Sequence, residues 1–385
     1  MKKGCFIFSK AVETLEFFSK EIAKSYEKEG YDIYTCDMNR KDAKELQKFL
    51  SSHETVLITF NFIGLSEEDW LMDGKGSIFD EKCKSINVIM VDHPLYYHDQ
   101  LIKSSKNVNI FCIDRDHVDY VKKYYPHIHS VTFLPLAGTE IKKEYVPIKN
   151  RTIPLLFAGN YVRKERLFSY LEGLDREYRE FYLSIVEDLI SHTNKNMEEA
   201  MSGAILKEIP DIDKNSMAAA IHGMMFVDLY VRSYFRAEVV KEIADAKIPI
   251  YVIGKDWNYL EVKHPEYIIP IGNGMEDTTF CLNHMADAKL SLNVMPWFKN
   301  GIHDRILSSM LNKSISITDS SKYIEENFGK EEFILYSLDH IKELPTIIRD
   351  ALKNEDGLQH MAELAYEKCQ RNHTWEKRVD ILKLV

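Results

Sequence analysis

The stretch Ala288 to Asp319, AKLSLNVMPWFKNGIHDRILSSMLNKSISITD, limits the fold of this chain more than any other. It opens with an apolar run, Ala288 to Val294, and closes with another, Ser314 to Thr318. Short runs without polar alternation read as strands buried on both faces. Between them Ile302, Ile306, Leu307, Met310 and Leu311 recur at helical spacing, so the order is strand, loop, helix, strand. That is a βαβ unit, and a chain that contains one must build a covered parallel sheet around it. The loop 296–301 lies at the carboxyl end of the first strand. Asn300 and Gly301 lead into a helix that begins Ile302-His303-Asp304-Arg305, with Ser308 one turn further on. Free backbone N–H groups, a glycine that allows close approach and an arginine one turn in suit a phosphorylated ligand. The same letters also describe an ordinary crossover, with Asn300 or Gly301 as helix cap and Arg305 on a solvated face.

The rest of the sequence repeats that grammar. Cys5–Phe8 reads as a strand, and Leu15, Phe18, Ile22 and Tyr26 mark one face of a helix over 11–29 that stops at Gly30. Further strands are expected at 32–36, 55–61, 87–92, 109–113 and 131–136, with helices at 41–50 and 116–125. Residues 1–145 therefore read as one doubly wound α/β domain. The polar segment 144–152, which holds Pro147, serves as a linker. A second series follows at 153–157, 248–253, 267–271, the opening unit and 333–336, each strand ending in a glycine or polar turn. Residues 146–385 are thus a second doubly wound domain, and 385 residues exceed what one core usually serves. Residues 161–246 hold amphipathic helical patterns and no convincing strand, so they read as a helical insertion. The tail from Asp339 is helical, with Thr374 as a cap before Trp375. Two such sheets are expected to present the loops at their carboxyl ends to a common cleft.

Composition narrows the function. The chain carries 50 Lys and Arg against 60 Asp and Glu, a net charge of -10, and no basic stripe, which argues against nucleic acid as partner. Six scattered cysteines without a close pair read as buried thiols of a reduced, cytoplasmic protein. The opening MKKGCFIFSK is too short for a signal peptide, and no apolar run is long enough to span a bilayer. Gly272 and Gly274 form GxG without the third glycine of a dinucleotide fingerprint, and no Gly-Lys-Ser/Thr phosphate loop or HExxH zinc motif occurs. Asp114 and Asp116 have the spacing that metal-dependent sugar transferases use, but Asp116 at a helix start is better read as a cap. No metal ligand is assigned.

Other candidates lie at strand ends. Asp92-His93 follows a central strand of the first domain, where an imidazole oriented by a carboxylate suits removal of a proton from an acceptor hydroxyl; the plain alternative is a capped turn with a packed histidine. Asn61, at the end of its own strand, would project into the same cleft. In the second domain Gly159-Asn160 follows one strand, and Gly254-Lys255 with Trp257 follows another, placing a lysine where a phosphate would sit. Trp257 reads more simply as core.

The string SLNVMPWFKNGIHDRILSSMLNKSISITD, with LFAGNYVRKER at Leu156–Arg166, YVIGKDW at Tyr251–Trp257 and NHTWEKRVDIL at Asn372–Leu382, resembles the bacterial glycosyltransferases of the group 1 type, near the spore-maturation and flagellin- or surface-modifying branch. The first domain shares less: ITFNF at Ile58–Phe62, VDHP, and FLPLAG at Phe133–Gly138. The resemblance implies a GT-B fold of two Rossmann-like domains, with the acceptor in the N-terminal one and a nucleoside-diphosphate sugar, a UDP-sugar by expectation, in the C-terminal one. No metal or other cofactor is obligatory in that scheme. Charge on the leaving diphosphate then falls to Arg305, to the Gly301–His303 backbone and to Lys255, while Gly159, Asn160 and the loop at Gly272 make room for the donor. His93 with Asp92 is the candidate acceptor base. Many relatives carry a Glu where this chain has Asn300 and another where it has Ser308, so neither position is anionic here.

The acceptor is expected to be a protein, a glycan or a small molecule, and the helical insertion is a candidate homo-oligomer surface. Two other readings stay open on sequence: a catalytically silent two-lobed nucleotide-sugar-binding or scaffold protein, and a sugar-nucleotide epimerase on the same fold.

Overall fold

The computed structural model describes residues 1–38, 43–66, 71, 77–141 and 143–384. Its contacts divide into two compact units, Met1–Leu136 together with Thr374–Val385, and Ala137–His373.

In the first unit the strands are β1 (Lys2–Ser9), β2 (Asp32–Asp37), β3 (His53–Phe60), β4 (Cys83–Met90), β5 (Val108–Cys112) and β6 (Ser130–Phe133). They form one sheet in the order β2-β1-β3-β4-β5-β6. Every pairing in it is parallel. The helices α1 (Glu13–Lys28), α2 (Ala43–Ser52), α3 (Ile78–Lys82), α4 (His98–Lys103) and α5 (Arg115–Tyr124) make the crossovers. The apolar runs behave as the sequence suggests: Gly4 to Ser9 of β1 and Ile86 to Met90 of β4 are buried continuously, because helices cover both faces. Leu15, Phe18, Ile22 and Tyr26 all point inward from α1. That helix stops where Gly30 turns to φ +83, a left-handed conformation that costs glycine little. Of the helix expected over 41–50, positions 41 and 42 lie outside the described residues. The cap of α5 is Asp114, not Asp116. Asp114 has extended backbone, φ -134, and its carboxylate accepts the Asp116 N–H at 2.8 Å, while Asp116 is already inside the first turn.

In the second unit the strands are β7 (Ile153–Ala158), β8 (Ile250–Ile253), β9 (Ile268–Pro270), β10 (Ala288–Leu292), β11 (Ile315–Thr318) and β12 (Ile334–Leu335). Their order is β12-β11-β10-β7-β8-β9, again all parallel. Between β7 and β8 run α6 (Lys164–Phe168), α7 (Arg176–Ser191), α8 (Met197–Glu208), α9 (Lys214–His222) and α10 (Met225–Asp245). The last of these is the crossover helix that packs on β8, so the helical stretch is an enlarged βαβ connection. Then follow α11 (Thr278–Met285), α12 (Asp304–Leu311), α13 (Lys322–Asn327), α14 (Leu344–Lys353) and α15 (Glu355–Asn372).

The segment 144–152 is more firmly held than a linker. Arg151 is buried and its guanidinium donates to the carbonyls of Val146, Ala288 and Asn312 at 3.0, 2.8 and 3.2 Å, closing the starts of β7 and β10. The final helix, α16 (Trp375–Leu382), belongs to the first unit. Thr374 occupies its N-cap position without a side-chain cap bond. Trp375 packs on Phe18 of α1 with ring centroids 5.1 Å apart, and Arg378 donates two bonds, at 3.2 and 3.0 Å, to the Leu136 carbonyl.

Candidate functional site

The strand order of the second unit reverses between β7 and β10, so the loops leaving these two strands diverge to opposite faces of the sheet. Ligands of open parallel sheets bind in the crevice that such a reversal opens. After β7 comes Gly159-Asn160, and this turn is laced to the one after β8. Gly159 N–H donates to Ile253 O at 2.8 Å, Lys255 N–H to Asn160 Oδ1 at 2.9 Å, Tyr161 N–H to Lys255 O at 3.1 Å, and the Trp257 indole N–H to Gly159 O at 2.8 Å. Gly254 makes the approach feasible. It sits at φ +138, and a Cβ there would meet Gly159 O at 2.5 Å. Trp257 is buried, edge-on to Phe157 and stacked with Tyr161. Its part is to hold the turn. Lys255 itself is exposed.

After β10 the chain runs through the loop 293–303 into α12. The helix starts at Asp304, and the cap is His303, not Asn300 or Gly301. Its Nδ1 stands 3.2 Å from the Arg305 N–H, which needs it as acceptor, and 2.8 Å from Asp304 Oδ1, which needs it as donor; the two roles exclude each other. Burial, then the positive charge of Arg305, holds the imidazole pKa below its ordinary value, so the neutral ring dominates at pH 7. Burial opposes ionisation of Asp304, but His303 and Arg305 keep its carboxyl below the usual range.

Arg305 is not on a solvated face. It is 9% exposed, its Nη1 donates to Asn293 Oδ1 at 2.7 Å, and its guanidinium lies 5.3 Å from the centre of the Phe157 ring. Burial lowers its pKa from the ordinary value, although it stays a cation at pH 7. Asn293 is fully buried and is fixed in turn, its amide N–H donating to Thr318 Oγ1 and its carbonyl accepting from Tyr336 O–H. A Cβ placed on Gly159 would come within 3.5 Å of Arg305 Nη2, so this glycine borders the guanidinium. Asp319, at the end of β11, accepts the Met295 N–H at 2.9 Å, and burial pushes its pKa up to about 6.

Two cations of α10 complete the neighbourhood. The guanidinium groups of Arg232 and Arg236 lie 4.5 and 5.1 Å from the centre of the Trp297 ring. Arg236 Nη1 donates to Asn160 O at 3.4 Å, while Asp228 pairs with Arg232 at 2.6 Å. The sequence reading passed over all three residues. The available signal was an arginine pair at i,i+4 inside a helix whose neighbours Val231, Phe235, Val239 and Val240 are core residues.

The remaining candidates are placed as follows. Gly301 is buried and its carbonyl accepts from Ser321 Oγ at 2.6 Å; Asn300 is half-buried. Ser308 is buried, and its hydroxyl accepts the Thr139 N–H at 3.1 Å. Gly272, at φ +82, lies in the exposed loop after β9, where Glu276 accepts the Asn273 N–H. In the first unit Asn61 adopts φ +51, takes the Val91 N–H and donates to Asp92 Oδ2 at 3.0 Å, and Tyr97 O–H reaches the same oxygen at 3.4 Å. His93 is 5% exposed. Its Nδ1 accepts the Leu95 N–H at 3.1 Å and its ring meets those of His117 and Tyr120. The structure thus gathers Gly159, Asn160, His303 and Arg305 in one unit, and Asp92 with His93 in the other. Among the described residues there is no group of three or more His, Cys, Asp or Glu that could hold a metal ion.

Comparison with known proteins agrees with this layout. Residues 232–383 match the family model described as glycosyl transferase-like. No protein with a curated description matches the sequence. Among solved structures, sucrose-phosphate synthase from Thermosynechococcus elongatus superposes over 100% of this chain and 98% of its own, with TM-score 0.53 at 10% identity. HepE from Anabaena, solved in complex with UDP-glucose, does so over 99% and 100%, with TM-score 0.53 at 9% identity. A glycosyltransferase from Rickettsia africae covers 100% of this chain with 97% of its own, at TM-score 0.51 and 9% identity. At such identities the likeness is one of fold, and the family match covers the segment from α10 to α16 that includes Arg305. With two parallel six-stranded sheets and these superpositions, the chain has the two-domain GT-B fold, and its segment 232–383 is similar to the glycosyl transferase-like family.

Proposed function

We propose that the protein moves a sugar from a nucleoside-diphosphate sugar, a UDP-sugar in the first instance, to a hydroxyl group of a protein, glycan or small molecule. The observation that carries this reading is Arg305: a guanidinium buried at the strand-order reversal, held by Asn293 and bordered by Gly159, with no side chain on that glycine to fill the adjacent space. When the bond between the anomeric carbon and the diphosphate oxygen breaks, that oxygen gains negative charge. A fixed cation in a low-dielectric site stabilises it more than water does. His303, Gly301 and Asn300 would hold the donor, Asn160, Lys255 and the Gly272 loop would border it, and no step requires a metal. Two UDP-bound structures of HepE favour a uridine donor.

On the acceptor side the assignment is Asp92 and His93, with Asn61 fixing the carboxylate. A cytoplasmic setting fits the six cysteines, all of them free thiols. The apolar side chains left exposed on the extra helices, Tyr178, Leu206 and Ile209, are the proposed surface for a homo-oligomer.

The test is a thermal-shift panel of nucleoside-diphosphate sugars followed by a transfer assay in excess chelator. Stabilisation by at least one donor, lost in Arg305→Ala, is expected, together with turnover. Binding without any turnover would instead make this a silent binding protein. Conversion of the donor into a sugar of inverted configuration, with no acceptor-linked product, would point to the epimerase.

A further inference from the structure

The enlarged connection between β7 and β8 brings charge to the donor site. Arg236 of α10 and Arg305 of α12 come from elements distant in sequence and approach the same dipeptide, Gly159-Asn160. Positive charge gathers there against its own repulsion. Asp228 is paired with Arg232, and Asp304 sits beside His303. Among the described residues Arg236 pairs with no carboxylate, whereas Arg232 one turn before it does. The buried Nε of Arg236 meets no hydrogen-bond acceptor among the described residues, and the bond from its Nη1 to the Asn160 carbonyl is long at 3.4 Å. A buried donor left without an acceptor is destabilising and uncommon in folded proteins. Burial, with Arg305 and Arg232 adding to it, pushes the Arg236 pKa down to about 9. The Trp297 ring centre lies 4.5 and 5.1 Å from the Arg232 and Arg236 guanidiniums, close enough for a cation–π contact with each, and a guanidinium offers the two-pronged donor geometry that an oxyanion accepts.

We propose that Arg236 is a diphosphate-binding residue of the donor site, so that the two phosphates are gripped between the guanidinium of α10 and that of Arg305 on α12. This rests on the donor reading above and adds what it lacks: a second cation, supplied by the extra-long crossover rather than by a loop after a strand. It makes the diphosphate, more than the base or the sugar, the part of the donor that the protein recognises. Trp297 acts here as a positioning residue, since it touches the arginines.

Isothermal titration of the full chain with UDP, ADP, GDP and dTDP, with UMP and with inorganic pyrophosphate tests this. Arg236→Gln should weaken the best nucleoside diphosphate and pyrophosphate about tenfold or more, the loss expected for one charge-assisted contact, and change UMP much less. Arg236→Lys, which keeps the charge but loses the fork, should fall between. In the wild-type protein, phenylglyoxal modification read by peptide mass spectrometry should show Arg236 shielded by that diphosphate together with Arg305, an arm that does not depend on how well a variant folds. Unchanged affinity in Arg236→Gln, or equal modification of Arg236 with and without ligand, overturns the inference. If Arg305→Gln then still abolishes binding, the donor reading survives alone. If no nucleoside diphosphate binds the wild type, the donor reading falls. Arg236-dependent pyrophosphate binding would then sustain the anion site, and its absence would remove that too.

Discussion

Asn293 decides what Arg305 can do. Fully buried at the end of β10, it is the acceptor that keeps a buried guanidinium in one orientation. Asn293→Ala should cost about 2–3 kcal/mol of stability in urea unfolding, because a buried cation loses its acceptor, and should weaken nucleoside-diphosphate binding in the same protein. Asp319 gives a pH signature. Its pKa rises from 3.8 to about 6 on folding, so between these values the native state binds a proton that the unfolded state does not. Stability then falls as pH rises through that window, on the order of 1 kcal/mol per pH unit, and the penalty is complete above pH 6. Asp319→Asn should flatten this slope between about pH 4 and 6 in melts taken across that range; an identical slope in the variant would sink the assignment. Of the candidate site residues, Arg305 could be nominated from the sequence because a glycine and a strand end flagged it. Arg236 was not, because an arginine in a mostly apolar helix looks the same in sequence whether its head reaches solvent or a turn seventy-odd residues earlier in the chain.

The elements show where local rules hold and where they stop. Strand runs such as Leu155 to Ala158 and Ile315 to Thr318 formed as read, since burial on both faces leaves little choice of residue. Helix starts were less legible. Asn300, Gly301 and His303 all suit the entry to α12, and only the path of the loop, tied by Ser321 to Gly301 O and by Lys322 N–H to Lys299 O, moves the first turn to Asp304. The same is true of the turn after β8, whose glycine is required by the carbonyl of Gly159 rather than by its own neighbours. Gly254→Ala should therefore destabilise by about 2 kcal/mol or more, from a left-handed φ and a 2.5 Å approach together, and should loosen the Gly159-Asn160 turn. Differential melting and amide exchange at Gly159 and Tyr161 measure both effects.

At the scale of the whole chain, α16 matters most. Trp375, Val379 and Leu382 are buried in the first unit although the 237 residues before Thr374 belong to the second. Removing 374–385 should strip the Phe18 face of α1 and cost the first unit on the order of 5 kcal/mol, seen as its selective unfolding or proteolysis. By itself the sequence determined the alternation of buried strands and helices, hence two doubly wound parallel sheets, and the strand ends at which ligand-facing loops must lie. Those features follow from period and burial, which each segment carries in its own letters. Tertiary structure alone decided that the last helix returns to the first unit, that Arg151 seals strand starts rather than loosening a linker, and that a crossover helix sends Arg236 to the turn after β7. Each depends on which distant surfaces meet, and contact between distant segments leaves no period in the chain to read.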